Sequence, residues 1–326
     1  MSVTTSQFIR LNEEGALKLE RRLCPTPSSG ELLVQIKAFG VNRADLLQRA
    51  GHYPAPAGAP QDILGLEFAG RVVEGAGRWR AGDRVMGICA GGGYSEHICV
   101  HEGCLLSVPE GWSWAEAAAF PEVYYTAFDA LRQAELAPGE RLLIHAIGSG
   151  VGGAAAQLGA WMGAEVVGTT RSAWKQRRAL EELPIKGAAL ISEGDFAPLE
   201  GYGPFDVIID FVGAAYLKQN LGALRAQGRL IIVGLLGGAR AELPLGLLLA
   251  KRLRVQGTVL RSRELLEKMQ LSHELERLVL PALLRGQLSA PHVDRQLRAS
   301  PEGLDEAHHL LRQGLAWSKL VALWDE

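Results

Sequence analysis

The glycine-rich segment 141–163 constrains the fold of this chain more than any other stretch. Residues 141–146 form a short apolar run, which is typical of a buried parallel strand. Gly148, Gly150 and Gly153 follow as G-x-G-x-x-G, and small residues of helical composition come next. Strand, glycine turn and helix in this order predict a dinucleotide site, because a pyrophosphate needs close backbone approach and a helix N-terminus. The alternative is a glycine turn that only lets the helix pack close to the sheet.

The predicted elements divide the chain into two kinds of structure, and the fold class is α/β. Residues 1–120 are β-rich and interrupted by Gly and Pro, which favours a partly open β-barrel. Further along, strands alternate with helical stretches, which predicts a doubly wound parallel sheet. The predicted strands of that sheet are 141–146, 165–170, 188–191, 206–210, 229–234 and 254–259. The remaining predicted elements are a long amphipathic helix over 263–285 that is broken near Pro281, a helix over 301–313 and a strand over 319–323.

The residues after the second of these strands indicate the choice of cofactor. An NAD enzyme usually carries an acidic residue there, about 20 residues on, to bind the ribose 2′-hydroxyl. Here the segment contains no acid and runs from Thr170 through Arg171 and Ser172 to Lys175. Two cations and hydroxyls suit a 2′-phosphate, so the sequence predicts NADPH. A solvated basic helix start is the alternative. The glycine-turn residues predicted to contact the cofactor are Ser149, Gly150, Val151 and Gly152.

Charge and composition exclude several classes of partner. The formal net charge is −2, and no run of Lys and Arg is present to follow a phosphate backbone, so nucleic acid is not expected. No stretch of about 18 apolar residues occurs, and the first residues lack a signal core, so we expect a cytoplasmic protein without a membrane span. The four cysteines form no C-x-x-C pair, which favours free thiols over a zinc lobe.

Three stretches resemble the medium-chain dehydrogenase/reductases: GLEFAG followed by GDRV, the SGVGGAAAQLG turn, and SKLVAL near the end. A finer set resembles the zinc-free NADPH:quinone oxidoreductases related to zeta-crystallin: GVNRADLLQRAGHYP, GGGYSEHICV, AAAFPEVYYTAF and GTVLRSR. The resemblance implies a GroES-like catalytic domain over 1–122, completed by 287–326, and a Rossmann domain over 123–286. It also implies a homodimer, and an apolar strand at 255–260 would leave an edge exposed if it is last in the sheet.

The zinc ligands of the superfamily's alcohol dehydrogenases are missing at the matching positions. Those enzymes place a cysteine where Asn42 stands, a histidine where Leu66 stands and a cysteine near Glu122. Only Glu67 and Glu122 remain as donors, and two carboxylates without His or Cys make a poor zinc site. We therefore expect no metal and no metal-assisted alcohol oxidation.

Without a metal, the resemblance implies hydride transfer to an electron-poor acceptor such as a quinone, whose reduced anion is delocalised. Asn42 and Tyr53 are the candidate catalytic residues, since each offers an N–H or O–H donor to an acceptor oxygen. For Asn42 the alternative is capping of the helix that follows, with Asp45 as the capping acid. For Tyr53 the alternative is packing of its ring under the proline-rich loop that follows.

The resemblance assigns further cofactor contacts. Thr126 matches the threonine that contacts the nicotinamide, although a helix-interior hydroxyl often only bonds back to a carbonyl. Gly213 and Gly234 match the crevice of the ribose and nicotinamide. The position of an adenine-stacking aromatic side chain is taken by Ser192, so that contact is in doubt.

Two other functions compete with quinone reduction. An enoyl or enone reductase on the same scaffold protonates a carbon, so it needs a placed acid, and Tyr53 is the candidate. A non-catalytic NADPH-binding protein is the third hypothesis. The sequence does not identify the physiological quinone or enone.

Overall fold

A computed structural model describes residues 5–192 and 195–325. The strands in this part of the chain are Thr5–Leu11 (β1), Leu17–Leu23 (β2), Glu31–Val41 (β3), Glu67–Val72 (β4), Arg84–Ile88 (β5), His97–His101 (β6), Leu105–Ser107 (β7), Arg141–Ile144 (β8), Glu165–Thr170 (β9), Gly187–Leu190 (β10), Phe205–Asp210 (β11), Leu224–Ile232 (β12), Arg254–Gly257 (β13), Val293–Arg298 (β14) and Lys319–Leu323 (β15). The predicted strands at 165–170 and 319–323 have these bounds, and the others differ at their ends.

The α-helices are Arg43–Arg49 (α1), Trp114–Ala119 (α2), Pro121–Gln133 (α3), Gly150–Trp161 (α4), Ala173–Glu182 (α5), Leu217–Ala223 (α6), Leu245–Lys251 (α7), Leu265–Glu274 (α8), Leu280–Leu284 (α9) and Pro301–Gln313 (α10). A π-helical turn, Leu275–Val279, joins α8 to α9. It ends two residues before Pro281, which has no N–H to donate and whose ring crowds the preceding turn. The predicted helix over 263–285 is continuous from Leu265 to Leu284, and a widened turn takes the place of the break predicted near Pro281.

The chain divides into two compact units. The first comprises Met1–Tyr125, Leu260–Gly286 and Ala290–Glu326, and the second comprises Thr126–Val259 with Gln287–Ser289. We refer to them as unit 1 and unit 2.

The segment 260–286, which the resemblance assigned to the Rossmann domain, packs in unit 1. Tyr125 donates a hydrogen bond from its hydroxyl to Ser272 Oγ at 2.7 Å, and Arg78 pairs with Glu276 at 2.7 Å. Sequence periodicity recognised this amphipathic helix, but periodicity does not say which core a helix face joins.

Unit 2 contains one parallel sheet in the order β10-β9-β8-β11-β12-β13. This is the doubly wound Rossmann order, so the prediction for this part of the chain is confirmed. The order reverses between β8 and β11, and their carboxyl ends form the crevice at which such sheets bind ligands. Apolar side chains of these strands, such as Leu143 and Ile208, are fully buried.

Unit 1 is built on a mostly antiparallel sheet in the order β14-β15-β3-β4-β5-β7, with β6 also paired to β3. The 11-residue strand β3 alternates buried and partly buried positions before its fully buried end. Its last residues pair with β15 on one side, with Val41 opposite Leu320, while β4 pairs on the other side. The first residues of β4 and β15 therefore lie near the end of β3.

No helix among residues 5–192 and 195–325 is both long and apolar enough to span a bilayer.

Candidate active site

The glycine turn of unit 2 follows β8 and opens helix α4. Ser149 is the N-cap of this helix, and its Oγ accepts a hydrogen bond from Gly152 N at 3.0 Å. The first N–H groups of a helix have no partner inside it, so a capped N-terminus of this kind suits a phosphate. The predicted turn residues Gly150 and Val151 lie in the first turn of α4 and are partly exposed.

The glycines of this turn serve different purposes. A Cβ atom on Gly152 would lie 2.6 Å from the carbonyl oxygen of Ala146, so a side chain does not fit there. A Cβ on Gly153 would have Leu183 Cδ2 as its nearest neighbour at 3.9 Å, which is ordinary contact. Close packing of helix on sheet occurs instead at Gly159, whose Cβ would lie 2.6 Å from Leu142 Cδ2. The turn therefore has a constraint of its own, separate from helix packing.

The predicted 2′-phosphate residues follow β9 at the start of α5. Thr170 is buried, and its Oγ1 accepts a hydrogen bond from Ser172 N at 3.2 Å. Arg171 is exposed. Lys175 lies in the first turn of α5, with its Nζ 5.2 Å from the ring centroid of Trp174. Two cations and a hydroxyl thus lie within one loop and helix turn.

Gly213 and Gly234, at the ends of β11 and β12, lie close together in the crevice. Gly213 has a φ of +79°, and a Cβ atom on it would lie 3.3 Å from the carbonyl oxygen of Gly234. A Cβ on Gly234 would lie 2.9 Å from the carbonyl oxygen of Phe211. Both positions require glycine, because the two loops approach each other with their backbones.

A buried polar chain, which sequence reasoning missed, supports this crevice. Asn220 donates from Nδ2 to Asp210 Oδ2 at 3.1 Å, so its Oδ1 accepts from His145 Nε2 at 2.7 Å. His145 Nδ1 then accepts from Thr169 Oγ1 at 2.8 Å. Burial lowers the pKa of His145 to about 4, so the ring is neutral. Asp210 also accepts from Gly213 N at 3.1 Å, which anchors the loop after β11.

An aromatic pair lies at the same edge of the sheet. Ser192 is exposed and offers no ring. Phe196, four residues later, lies 5.3 Å from Tyr216 between ring centroids, at an angle of 89°. Burial raises the pKa of Tyr216, and the positive charge of Arg171 acts in the opposite direction, which places that cation near the ring. A position-by-position match to Ser192 could not find this pair, because Phe196 lies four residues further along the chain.

In unit 1, Asn42 lies at the start of α1 with its amide held by two charged groups. Its Nδ2 donates to Glu67 Oε1 at 2.8 Å, and its Oδ1 accepts from Lys319 Nζ at 2.7 Å. The amide makes no cap bond to the helix. Asp45 does cap α1, since its carboxylate accepts from Asn42 N at 2.7 Å. Capping is therefore performed by the backbone of Asn42 and the side chain of Asp45.

Lys319 and Glu67 form a buried ion pair at the end of β3. Their side chains are 2% and 0% exposed, and Nζ and Oε1 are 2.5 Å apart. Glu67 Oε2 accepts a further hydrogen bond from Glu122 N at 2.8 Å. A Cβ on Gly40 would collide with Glu67, so this glycine makes room for the carboxylate. Sequence reasoning took the segment around Lys319 as a family signature only.

Tyr53 is held by an arginine that sequence reasoning also missed. Arg261 is buried, its Nη1 donates to the carbonyl oxygen of Tyr53 at 3.1 Å, and its guanidinium carbon lies 5.0 Å from the Tyr53 ring centroid. Arg261 Nη2 also donates to Gln48 Oε1 at 2.6 Å. Burial raises the pKa of Tyr53, and Glu122 raises it further, so the hydroxyl keeps its proton.

Thr126 and Glu122 lie on helix α3. Between Pro121 and Leu131 only these two residues are not buried. Residues four apart share one face of a helix. The predicted nicotinamide residue therefore lies on the same helical face as an acid that was considered only as a poor metal donor.

Where alcohol dehydrogenases of the superfamily have their zinc ligands, this chain has an aliphatic side chain and oxygens bound to a lysine. Leu66 is buried, and the oxygens of Asn42 and Glu67 both bind the ammonium of Lys319. Among the described residues, no group of three or more His, Cys, Asp or Glu side chains is arranged to hold a metal ion.

Comparisons with known proteins agree with this architecture. The model of the alcohol dehydrogenase GroES-like domain matches residues 28–110, and that of the zinc-binding dehydrogenase matches residues 150–274. The quinone oxidoreductase of Thermus thermophilus, solved also in complex with NADPH, is 30% identical, with a TM-score of 0.83 over 97% of this chain and 99% of that one.

Two further proteins are similar to this chain. The CurF ER cyclopropanase of the curacin A pathway is 26% identical, with a TM-score of 0.85 over 98% of this chain and 99% of that one. The polyketide synthase GfsB of Streptomyces halstedii is 37% identical over 210 residues, which are 63% of this chain and 4% of that synthase. The chain thus spans only a small part of such a synthase.

The two domain matches cover the two parts of the described fold, and the likeness to the Thermus enzyme extends over nearly the whole length of both chains. The chain belongs to the medium-chain dehydrogenase/reductase superfamily.

Proposed function

We propose that this chain is an NADPH-dependent oxidoreductase that transfers a hydride to a quinone without a metal ion. The observation that carries the proposal is the hydrogen-bonded group of Asn42 with buried Glu67 and Lys319. The ammonium of Lys319 binds the oxygens at the position of the alcohol dehydrogenase zinc. Because the Lys319 ammonium already occupies the oxygens of Asn42 and Glu67, these oxygens suit no zinc ion and no metal-bound alkoxide.

The residues of unit 2 fit NADPH. The capped N-terminus of α4 would bind the pyrophosphate, with Gly152 leaving space for the turn. Arg171 and Lys175 would bind the 2′-phosphate, with Thr170 and Ser172 as hydroxyl partners. Thr126, Gly213 and Gly234 remain the proposed contacts of the nicotinamide and its ribose.

NADPH supplies the hydride when bound, and unit 1 supplies the acceptor contacts. A primary amide has two N–H bonds, and Asn42 uses one of them for Glu67, so we assign the second to the acceptor oxygen. The Tyr53 hydroxyl is the second donor, held in place by Arg261. Such donors stabilise the charge that develops on the oxygen as the hydride arrives.

A second candidate function is reduction of an enone or enoyl thioester. The likeness to CurF and the similarity to GfsB favour it. Carbon protonation distinguishes this reaction from quinone reduction, because it requires a placed acid. An NADPH-binding protein without turnover is the remaining possibility.

Steady-state rates with NADPH across a panel of quinones, α,β-unsaturated ketones and enoyl thioesters separate these functions. We expect the highest kcat/KM with a quinone, and a loss with every acceptor in Tyr53→Phe, because Tyr53 is the proposed donor to the acceptor oxygen. NADPH binding without turnover on any acceptor would leave only the binding function.

Metal independence has its own test. A chelator-treated sample should keep its activity and contain no stoichiometric zinc by elemental analysis. Activity that disappears on chelation and returns with zinc would overturn this part of the proposal.

We also propose that the protein is a cytoplasmic homodimer that associates through unit 2. Strand β13 is last in its sheet, and α7 beside it has no buried residue. An exposed edge strand with apolar neighbours is a surface that proteins usually cover.

A further inference from the structure

Helix α3 presents a carboxyl group on the face that carries Thr126. Glu122 is partly exposed there, whereas Val123, Tyr124 and Tyr125 are buried. The helix is one continuous element from Pro121 to Gln133, so the spacing of Glu122 and Thr126 is set by helical geometry. A group that contacts the nicotinamide through Thr126 would have Glu122 one turn away along the same face.

Glu67 takes up the hydrogen-bond donors around Glu122. Its two oxygens accept hydrogen bonds from Lys319, Asn42 and the backbone of Glu122 itself. The ammonium of Lys319 is thus committed to Glu67 and Asn42. The carboxyl group of Glu122 lies within electrostatic reach of the Glu67 carboxyl, and a like charge nearby disfavours ionisation of Glu122.

Charged groups on several other elements act on the Glu122 carboxyl. They are Glu67 on β4, Asp45 on α1, Lys319 on β15, and Arg261 in the segment after β13; Tyr53 and Cys89 lie within its electrostatic reach, as does Lys268 on α8. Burial is the largest influence and Glu67 the next, and together they raise the pKa of Glu122 to about 8. At neutral pH the side chain is therefore a neutral carboxylic acid.

We propose that the Glu122 carboxyl is the general acid that protonates the acceptor after hydride transfer. This inference rests on the proposed reductase function. With an α,β-unsaturated carbonyl acceptor, the hydride brings two electrons to the β-carbon, the displaced π pair moves to the α-carbon, and that carbon takes the proton from the Glu122 O–H. Water reprotonates the carboxylate before the next turnover. Tyr53 then acts as a hydrogen-bond donor, because burial and Glu122 hold its pKa above the ordinary range.

A general acid at Glu122 widens the range of acceptors that the site can reduce. A hydroquinone anion takes its proton from water, but an enolate requires a proton at carbon. Glu122 therefore equips the site for α,β-unsaturated carbonyl acceptors in addition to quinones.

The test compares wild type with Glu122→Gln, Glu122→Asp and the control Glu110→Gln, an exposed glutamate that precedes α2. We would measure kcat from pH 6 to 10 with an enone and with a quinone, at saturating NADPH. General acids contribute about 10²- to 10⁴-fold, so Glu122→Gln should lose roughly this factor with the enone at neutral pH. The quinone rate should fall far less.

The pH profile identifies the group. Wild type and Glu110→Gln should lose enone activity above a pH of about 8, where Glu122 ionises. Glu122→Gln should lack this descending limb, and Glu122→Asp should keep it at a reduced rate. Infrared difference spectra of the protein without substrate should show a carboxyl that titrates in the same range and is missing in Glu122→Gln. NADPH affinity and the unfolding midpoint of each variant establish that it is folded.

The outcomes separate the two proposals. An unchanged enone rate and pH profile in folded Glu122→Gln would overturn the acid role and leave the reductase function in place. No turnover of any acceptor by wild type would overturn the reductase function, and the acid role with it. A carboxyl already ionised at neutral pH in the infrared titration would also overturn the acid role.

Discussion

At the scale of single residues, the buried lysine at the start of β15 organises the acceptor side of the site. Lys319 binds Glu67 and Asn42. This orients the Asn42 amide, because its oxygen must face the ammonium and its nitrogen the carboxylate. At the position where alcohol dehydrogenases of the superfamily bind zinc, this chain has the Lys319–Glu67 ion pair. The pair holds the Asn42 amide in place as a hydrogen-bond donor.

We expect Lys319→Met to destabilise the fold by about 3–5 kcal/mol, because it leaves Glu67 buried without a counter-charge. Adding Glu67→Gln should recover most of this loss. Urea unfolding of both variants measures the coupling. Lys18→Met, at an exposed position of β2, should stay within about 0.5 kcal/mol of wild type. Equal losses in the single and double variants would contradict the pairing.

Arg171 determines the cofactor preference in our proposal. Wild type should favour NADPH over NADH by roughly 10- to 100-fold in kcat/KM, a range set by a solvent-exposed charge contact to phosphate. Arg171→Ala should lose a large part of this preference and leave NADH kinetics nearly unchanged, since NADH has no 2′-phosphate. Added salt should weaken NADPH binding more than NADH binding. Equal slowing with both cofactors would make Arg171 a structural residue.

Among the elements, the glycine turn and helix α4 use different glycines for two purposes, which are the tight turn itself and the close approach of the helix to the sheet. Gly152 leaves space for the turn, and Gly159 lets the helix approach β8, whereas Gly153 has room for a methyl group. The close approach of the helix to the sheet therefore depends on Gly159 and not on Gly153, the last glycine of the motif. Buried His145, the residue after β8, is held by hydrogen bonds to Asn220 and Thr169.

Alanine substitutions test this division directly. Gly152→Ala should lower stability by about 1–3 kcal/mol, because the new methyl group meets backbone that cannot move aside. Its NADPH affinity should fall as well. Gly153→Ala is the matched control and should be neutral or stabilising by up to about 1 kcal/mol. Denaturant unfolding and cofactor fluorescence provide the two measurements, and similar behaviour of both variants would refute the assignment.

At the scale of the whole molecule, an unpaired strand edge accompanies exposed leucines in unit 2. Leu245 and Leu249 on α7 are 67% and 80% exposed, and β13 has a neighbour on one side only within the described sheet. Strand β13 meets the condition under which the sequence expected an exposed edge, since it is last in its sheet, and association of two copies remains our proposal.

Light scattering at micromolar concentration should give the mass of a dimer. Leu249→Glu should shift the equilibrium toward monomer, because it places a charge in an apolar contact. Leu266→Glu, at a leucine of α8 that is 69% exposed in unit 1, should leave the mass unchanged. A monomeric wild type, or equal effects of both substitutions, would contradict dimerisation through this surface.

The amino-acid sequence by itself determined the local features of this protein. Strand and helix periodicity predicted the Rossmann elements, the glycine turn and the helix and strand that end the described chain, because these depend on residues close together in the sequence. Short motifs that resemble those of the medium-chain dehydrogenase/reductases identified the superfamily. Asn42, Tyr53 and the residues after β9 were identified as site candidates for the same reason.

Only the tertiary structure decided which distant residues meet. Lys319 reaches Glu67 across 252 positions because β15 and β4 flank the same strand. Arg261 reaches Tyr53 because the segment after β13 returns to unit 1. The state of Glu122 is also a tertiary property, since its pKa depends on burial and on charges from other elements. No local pattern records these contacts, because electrostatic energy depends on distance in space and on exclusion of water.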